Sequence, residues 1–85
     1  MTTGQNALST SAELIFSANL GVTYREVTNT DASISIYIGD SDQVTTSTGH
    51  LVAAGKSFGI EGMAAGKAIY AIAASGTPTI STFEI

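Results

Sequence analysis

The sequence predicts a small all-β protein, a single-domain β-sandwich or partly open barrel with jelly-roll or immunoglobulin-like connectivity. Ile, Val and Thr number 9, 4 and 12, whereas Leu, Met, Gln, Glu, Lys and Arg together number 15. β-Branched side chains suit a pleated surface and lose freedom in a helix. Turn signals recur about every 8–12 residues and separate six to seven short strands. The 85 residues leave room for one small domain.

The first eleven residues predict a flexible N-terminal arm, because their side chains are small or polar and Leu8 is the one large apolar residue after Met1. One hypothesis is that this arm becomes ordered on a neighbouring subunit, through the side chains of Thr2, Thr3, Gln5, Asn6 and Leu8; the alternative is that it stays disordered in the isolated protein. Residues 12–85 are then the β-sandwich domain.

The first apolar segment, residues 12–20, has an ambiguous period. Thr10 and Glu13 fit a helical capping box, and the apolar residues fit helical spacing. The alternation of Leu14, Phe16 and Ala18 fits a strand equally well. We favour the strand, since the rest of the chain is strongly β in character.

Two strands with clear alternation follow. In residues 22–28 the side chains Val22, Tyr24 and Glu26 alternate with Thr23, Arg25 and Val27, which predicts a half-buried strand. A turn-forming Asn-Thr-Asp sequence follows it. Residues 33–38 have the cleanest period of two, with Ile34, Ile36 and Ile38 directed inward and Tyr37 directed outward.

The second half of the chain predicts shorter elements between glycine-containing turns. Within residues 43–57 the apolar anchors are Val44, Leu51 and Val52. Residues 58–61 form a short strand, and residues 62–67 form a glycine-bracketed connection. Residues 68–73 are apolar on both faces, so they predict a central strand covered on both sides. Pro78 marks the start or edge of the last strand, residues 79–85.

The aromatic residues are distributed one to each apolar segment. We therefore predict that each strand contributes one large anchor to a common core. The six residues are Phe16, Tyr24, Tyr37, Phe58, Tyr70 and Phe83.

Composition argues against several classes of function. The chain has no cysteine, so it can form neither disulfides nor a thiolate zinc site. Three Lys and Arg residues against seven Asp and Glu residues do not make a phosphate-binding face, so we expect no nucleic-acid partner. We expect no membrane partner either, because no apolar run is long enough for a spanning helix. The first residues also show no secretory-signal pattern.

The residues that suggest chemistry do so weakly. Residues 55–57, Gly-Lys-Ser, match the end of a phosphate-binding loop. That loop needs a glycine five positions before Gly55, whereas Gly49 lies six positions before it, so we interpret the segment as a turn between strands. His50 is the only histidine, and the sequence contains no Gly-x-Ser-x-Gly motif that would supply a nucleophilic serine beside it. Asp40 and Asp42 lack the further oxygen ligands of a calcium-binding loop. We predict no catalytic, cofactor or metal site and no enzymatic activity.

The order of short motifs in residues 27–85 resembles small β-sandwich structural proteins of tailed-bacteriophage virions. The resemblance rests on Ile-Tyr-Ile-Gly at 36–39, Val-Thr-Thr-Ser-Thr-Gly at 44–49, and Tyr-Ala-Ile-Ala-Ala-Ser-Gly at 70–76. The last of these is the most specific. The resemblance implies a capsid-associated, decoration or fibre polypeptide.

The resulting hypothesis is a capsid decoration (cement) protein that binds the assembled head as a small homo-oligomer, with a trimer favoured. Its partners are then other copies of itself and the major capsid protein or another virion protein, and its location is the phage head surface after synthesis in the host cytoplasm. The alternative is a head- or tail-fibre module that contacts host-surface glycan through Tyr37 and the loops 40–50 and 61–67. A small hydrolase that uses His50 with a serine and an aspartate ranks below both.

Overall fold

Eight antiparallel strands in two four-stranded sheets make up the protein in the computed structural model, which describes residues 1–85. The all-β class is confirmed, with eight strands instead of six to seven. The only helix is a 3₁₀ helix at Gly62–Gly66. The strands are β1 (Thr2–Ala7), β2 (Glu13–Phe16), β3 (Tyr24–Asn29), β4 (Ile36–Gly39), β5 (His50–Val52), β6 (Ser57–Glu61), β7 (Ile69–Ala73) and β8 (Thr79–Glu84).

The pairing of the strands is nested around the middle of the chain. β4 pairs with β5, β3 with β6, β2 with β7 and β1 with β8. The first sheet has the order β1-β8-β3-β6, and the second sheet has the order β2-β7-β4-β5. The chain is thus one long hairpin rolled into two facing sheets, which is the jelly-roll arrangement.

The core lies between the two sheets and is built from alternate residues of each strand. In β4, Ile36 and Ile38 are buried as predicted, and in β7 the residues at 69, 71 and 73 are buried. The ten residues of the main cluster are Leu8, Phe16, Val27, Ile36, Ile38, Val52, Ile69, Ala71, Ala73 and Ile80. The predicted strand in residues 12–20 is β2, which has a bulge between Leu14 and Phe16.

The N-terminal segment is not a flexible arm. Thr2–Ala7 forms β1, an edge strand in register with β8 from Thr2 opposite Glu84 to Ala7 opposite Thr79. The strand needs no apolar side chains because its backbone groups hydrogen-bond to β8. Leu8, predicted to contact a partner, is instead 1% exposed in the core.

The aromatic residues do not share one core, and this prediction was wrong. Phe16 is buried, and Phe58 packs partly buried against the core. The other four lie at positions whose neighbours along the strand face inward, so they lie on the outer faces of the sheets. These four residues are Tyr24 and Phe83 in the first sheet and Tyr37 and Tyr70 in the second.

Arg25 and Asn29, two polar side chains of β3, bind the two sheets together from inside. Arg25, 1% exposed, donates from Nε to Glu84 Oε2 at 2.8 Å and from its two terminal nitrogens to the carbonyls of Ser17 and Lys67. Its guanidinium lies 4.9 Å from the centre of the Phe16 ring.

The Asn29 side chain is fully buried. Its Nδ2 donates to the carbonyls of Ile34 at 2.9 Å and Val52 at 3.0 Å, and its Oδ1 accepts from the backbone N–H of Asp31. Every buried side-chain polar atom has a partner, so these two residues join the sheets without leaving a side-chain polar group unpaired in the core.

Candidate functional site

The residues that suggested chemistry lie apart from one another or in structural turns. Gly55, with φ of 76°, and Lys56 form the turn between β5 and β6, as the sequence predicts. His50 begins β5 and is exposed, and its ring centre lies 4.4 Å from that of Phe58, with the two rings tilted by 41°. No three of the His, Asp and Glu residues are grouped so that they could hold a metal ion.

Acidic residues in the loops before and after β4 accept hydrogen bonds from neighbouring residues of the same loop. Asp31 Oδ2 accepts hydrogen bonds from the backbone N–H groups of Ser33 and Ile34 at 3.0 and 2.8 Å. These two bonds favour the carboxylate and hold the pKa of Asp31 below its ordinary value of 3.8. Asp42 accepts a hydrogen bond from the side-chain amide of Gln43.

The outer face of the second sheet carries an apolar surface that crosses all four strands. Leu14 lies opposite Tyr70, and Tyr37 lies opposite both Ile72 and Leu51. Leu14 and Leu51 are 49% and 51% exposed, and the other three side chains are half-buried. We call these five side chains the apolar face.

The apolar face carries no formal charge. The strands of the second sheet contain two ionisable residues besides tyrosine, Glu13 and His50. Glu13 is opposite Ala71 and His50 is opposite Ile38, so both lie on the side of the sheet that faces the core. A chain with a net charge of −4 thus has one sheet face that another protein surface can cover without burying an ion.

A sequence signal for this face existed in residues 68–73. Their apolar residues at every position predicted a strand covered on both sides. In the structure β7 is an inner strand of its sheet, but the chain covers only the side of Ile69, Ala71 and Ala73. The residues that sequence analysis missed are Leu14, Leu51, Tyr70 and Ile72; Tyr37 was correctly expected to point outward.

A second apolar feature lies at one end of the sandwich. Leu20 and Met63 are 94% and 92% exposed and line an open cavity of about 540 Å³ together with Val22 and the 3₁₀ helix. Gly66 packs against the backbone of Leu20, so the loop after β2 and the 3₁₀ helix lie against each other.

The residues predicted for the partner-contact arm do not form one site. Thr2, Thr3, Gln5 and Asn6 are exposed along β1, whereas Leu8 belongs to the core. Thr3 and Gln5 lie opposite Phe83 and Ser81 on the outer face of the first sheet.

Comparison with known proteins adds no relative. No protein-family model, no curated protein and no solved structure matches this chain. The structure contains no helix with the length and apolarity needed to cross a membrane.

Proposed function

We propose that the protein is a non-enzymatic structural protein of a phage virion, a capsid decoration protein that binds the assembled head through its apolar face. The observation that carries the proposal is the surface formed by Leu14, Tyr37, Leu51, Tyr70 and Ile72. Its side chains come from all four strands of one sheet, and a rigid sheet presents them together.

The energetics of docking support this use of the apolar face. Burying the exposed half of Leu14 or Leu51 contributes about 1 kcal/mol for each side chain, since full burial of a leucine contributes about 1.5–3 kcal/mol. Two tyrosines beside them add large rigid contact area with polar tips, which is typical of the centres of protein interfaces. The absence of charge removes the largest cost of covering the face.

The fold and the sequence motifs support the virion setting by analogy. Jelly rolls are frequent in viral capsid proteins, although the fold alone does not determine function. Tyr37, Tyr70 and Ile72 belong to the Ile-Tyr-Ile-Gly and Tyr-Ala-Ile-Ala-Ala-Ser-Gly motifs on which the resemblance to phage proteins rests. The motifs therefore contain three of the five side chains of the apolar face.

Self-association is part of the proposal. Edge strands β1, β2, β5 and β6 leave unpaired backbone groups at the borders of both sheets. An 85-residue sandwich without disulfides also gains stability when further surface is buried between copies. We expect a trimer, which suits the local threefold positions of a capsid.

The first experiment counts copies of the protein in purified phage particles by quantitative mass spectrometry and measures its mass in solution. Decoration of the head predicts on the order of hundreds of copies per particle and a trimeric mass. A few copies to a few dozen would support the fibre alternative and contradict decoration. Absence from particles would contradict both.

A second experiment tests the apolar face itself. Leu51→Lys places a charge on the β5 side of this face, at a side chain that is already 51% exposed, so the fold should survive. We expect its occupancy on particles lacking the native protein to fall at least tenfold. Gln5→Lys on β1 is the matched control and should bind normally. Equal occupancy of the two variants would refute docking through the apolar face.

A further inference from the structure

The outer face of the first sheet has a different character from the apolar face of the second. Cross-strand pairing arranges its outward side chains in two parallel rows that each cross all four strands. One row is Thr3, Phe83, Glu26 and Gly59, and the other is Gln5, Ser81, Thr28 and Ser57. Between β1, β8 and β3 these rows line an open groove of about 340 Å³.

An aromatic pair borders this groove. The rings of Tyr24 and Phe83 lie 5.6 Å apart at an interplanar angle of 47°. Gly59 lies beneath the tyrosine: a side chain at this position would clash with the Tyr24 hydroxyl and come within 3.1 Å of its ring carbons. The missing side chain lets the Tyr24 ring lie over the backbone of β6.

Hydrogen-bonding groups line the rest of the groove. Glu26 Oε1 accepts a hydrogen bond from the Tyr24 hydroxyl at 3.0 Å, which fixes the carboxylate beside the aromatic pair. That hydrogen bond, followed by desolvation and the charges of Glu26 and Glu61, raises the pKa of Tyr24 above its ordinary value of 10.0. The exposed amide of Gln5 and the hydroxyls of Ser81 and Thr28 lie across the groove.

We infer that this groove is a binding site for a neutral saccharide. A pyranose ring presents an apolar C–H face and a rim of hydroxyl groups. The aromatic pair matches the first, and the carboxylate, amide and hydroxyls match the second, because a carboxylate makes strong hydrogen bonds to hydroxyl donors. Phe83 is the one apolar side chain in the lining of the groove.

Charge selects neutral sugars over acidic ones. Glu26 lies in the groove and Glu61 lies opposite Tyr24 in the sheet. The chain has a net charge of −4, and no Lys or Arg lines the groove. A uronic acid or a phosphate would therefore meet repulsion without a compensating cation.

This site is separate from the apolar face and does not depend on the proposed function. The two surfaces lie on opposite sides of the sandwich. A protein docked through the second sheet would leave the groove of the first sheet open to solvent.

The test is an NMR titration of the ¹⁵N-labelled protein with four neutral tetrasaccharides, those of α-linked glucose, β-linked glucose, β-linked N-acetylglucosamine and α-linked mannose. We expect at least one to cause saturable amide shifts confined to the groove, with a Kd near or below about 1 mM. Tetragalacturonate is the acidic comparison. The inference is overturned if no neutral sugar shifts the groove at roughly 10 mM, or if the acidic sugar binds more tightly.

Two variants locate the binding site. Gln5→Ala removes an exposed side chain from an edge strand, so the fold remains and affinity for the sugar should fall about threefold. Phe83→Ala removes part of the aromatic pair and should weaken binding about tenfold, equivalent to about 1.4 kcal/mol. Tyr37→Ala, on the opposite sheet, is the control and should bind like the native protein. Native affinity in both groove variants would assign the binding elsewhere.

Discussion

The ion pair between Arg25 and Glu84 makes the sharpest prediction about stability. Arg25 is 1% exposed, and Glu84 is 23% exposed. The substitution Glu84→Ala removes the carboxylate 2.8 Å from Arg25 Nε and leaves a buried guanidinium that still contacts the two carbonyls of Ser17 and Lys67.

The expected loss follows from how deeply each partner is buried. Removing one member of a fully buried pair costs about 3–5 kcal/mol, because the remaining charge is uncompensated. Water reaches the 23% of the Glu84 side chain that is exposed, so we expect a smaller loss, about 2–3 kcal/mol. The total stability of an 85-residue domain is about 4–13 kcal/mol, so this loss is a large fraction of the whole.

Urea denaturation followed by circular dichroism measures this loss. The midpoint should fall while the slope stays constant, because the variant exposes the same surface on unfolding. Glu61→Ala, which removes an exposed carboxylate at the end of β6, is the matched control and should change stability by less than about 0.5 kcal/mol. If Glu84→Ala were as stable as this control, the buried charge would not require its partner and the reasoning would fail.

Three further predictions concern side chains that hold loops and faces in place. Asn29→Ala removes the hydrogen bonds from the buried Nδ2 to the carbonyls of Ile34 and Val52, so we expect a loss of about 2–4 kcal/mol in urea denaturation. A loss below about 1 kcal/mol would contradict the assigned role. Gly59→Ala should displace the Tyr24 ring and break its hydrogen bond to Glu26. The pKa of Tyr24 should then fall toward 10.0 in a tyrosinate absorbance titration. An unchanged titration would show that the ring does not lie over this glycine. The pKa of Asp31 is below 3.8 in the folded state, so its carboxylate stabilises the fold above that pH and loses this contribution as the pH falls through the folded pKa. The stability difference between the native protein and Asp31→Asn should therefore shrink below pH 3.8, and a constant difference would contradict the hydrogen bonds at Ser33 and Ile34.

The alternation of side chains made part of the fold predictable. The pattern of β4 correctly placed Ile36 and Ile38 in the core, because successive side chains of a strand point to opposite faces and the apolar set must face away from water. The turn at Gly55 followed from glycine tolerating a positive φ. In residues 43–57, Val44 and Val52 are buried as expected, but Leu51 points outward because it lies on the other side of β5 from Val52.

Other features could not be found by side-chain pattern. β1 exists through backbone pairing with β8, a contact between the two ends of the chain that local composition does not reveal. Arg25 shares its face with Val27, but a charged residue on an alternating strand normally marks the wet face, and its partners come from three distant segments.

The full extent of the two outer faces could not be predicted from the sequence, for a related reason. The apolar face depends on cross-strand neighbours such as Tyr37 beside Ile72 and Leu51, and the saccharide groove depends on Gln5 meeting Ser81 across strands. The register of strand pairing determines which residues are neighbours, and this register cannot be deduced from the sequence of one strand.

The nested strand pairing has a consequence for the order in which the protein folds. Only β4 and β5 can meet through a short loop, residues 40–49, and each later pair closes a longer segment until β1 reaches β8 across nearly the whole chain. Loop-closure entropy grows with length, and non-local pairing slows folding. We therefore expect strand pairing to proceed from the middle of the chain outward. The two ends of the chain, β1 and β8, then pair last and, on heating, separate first.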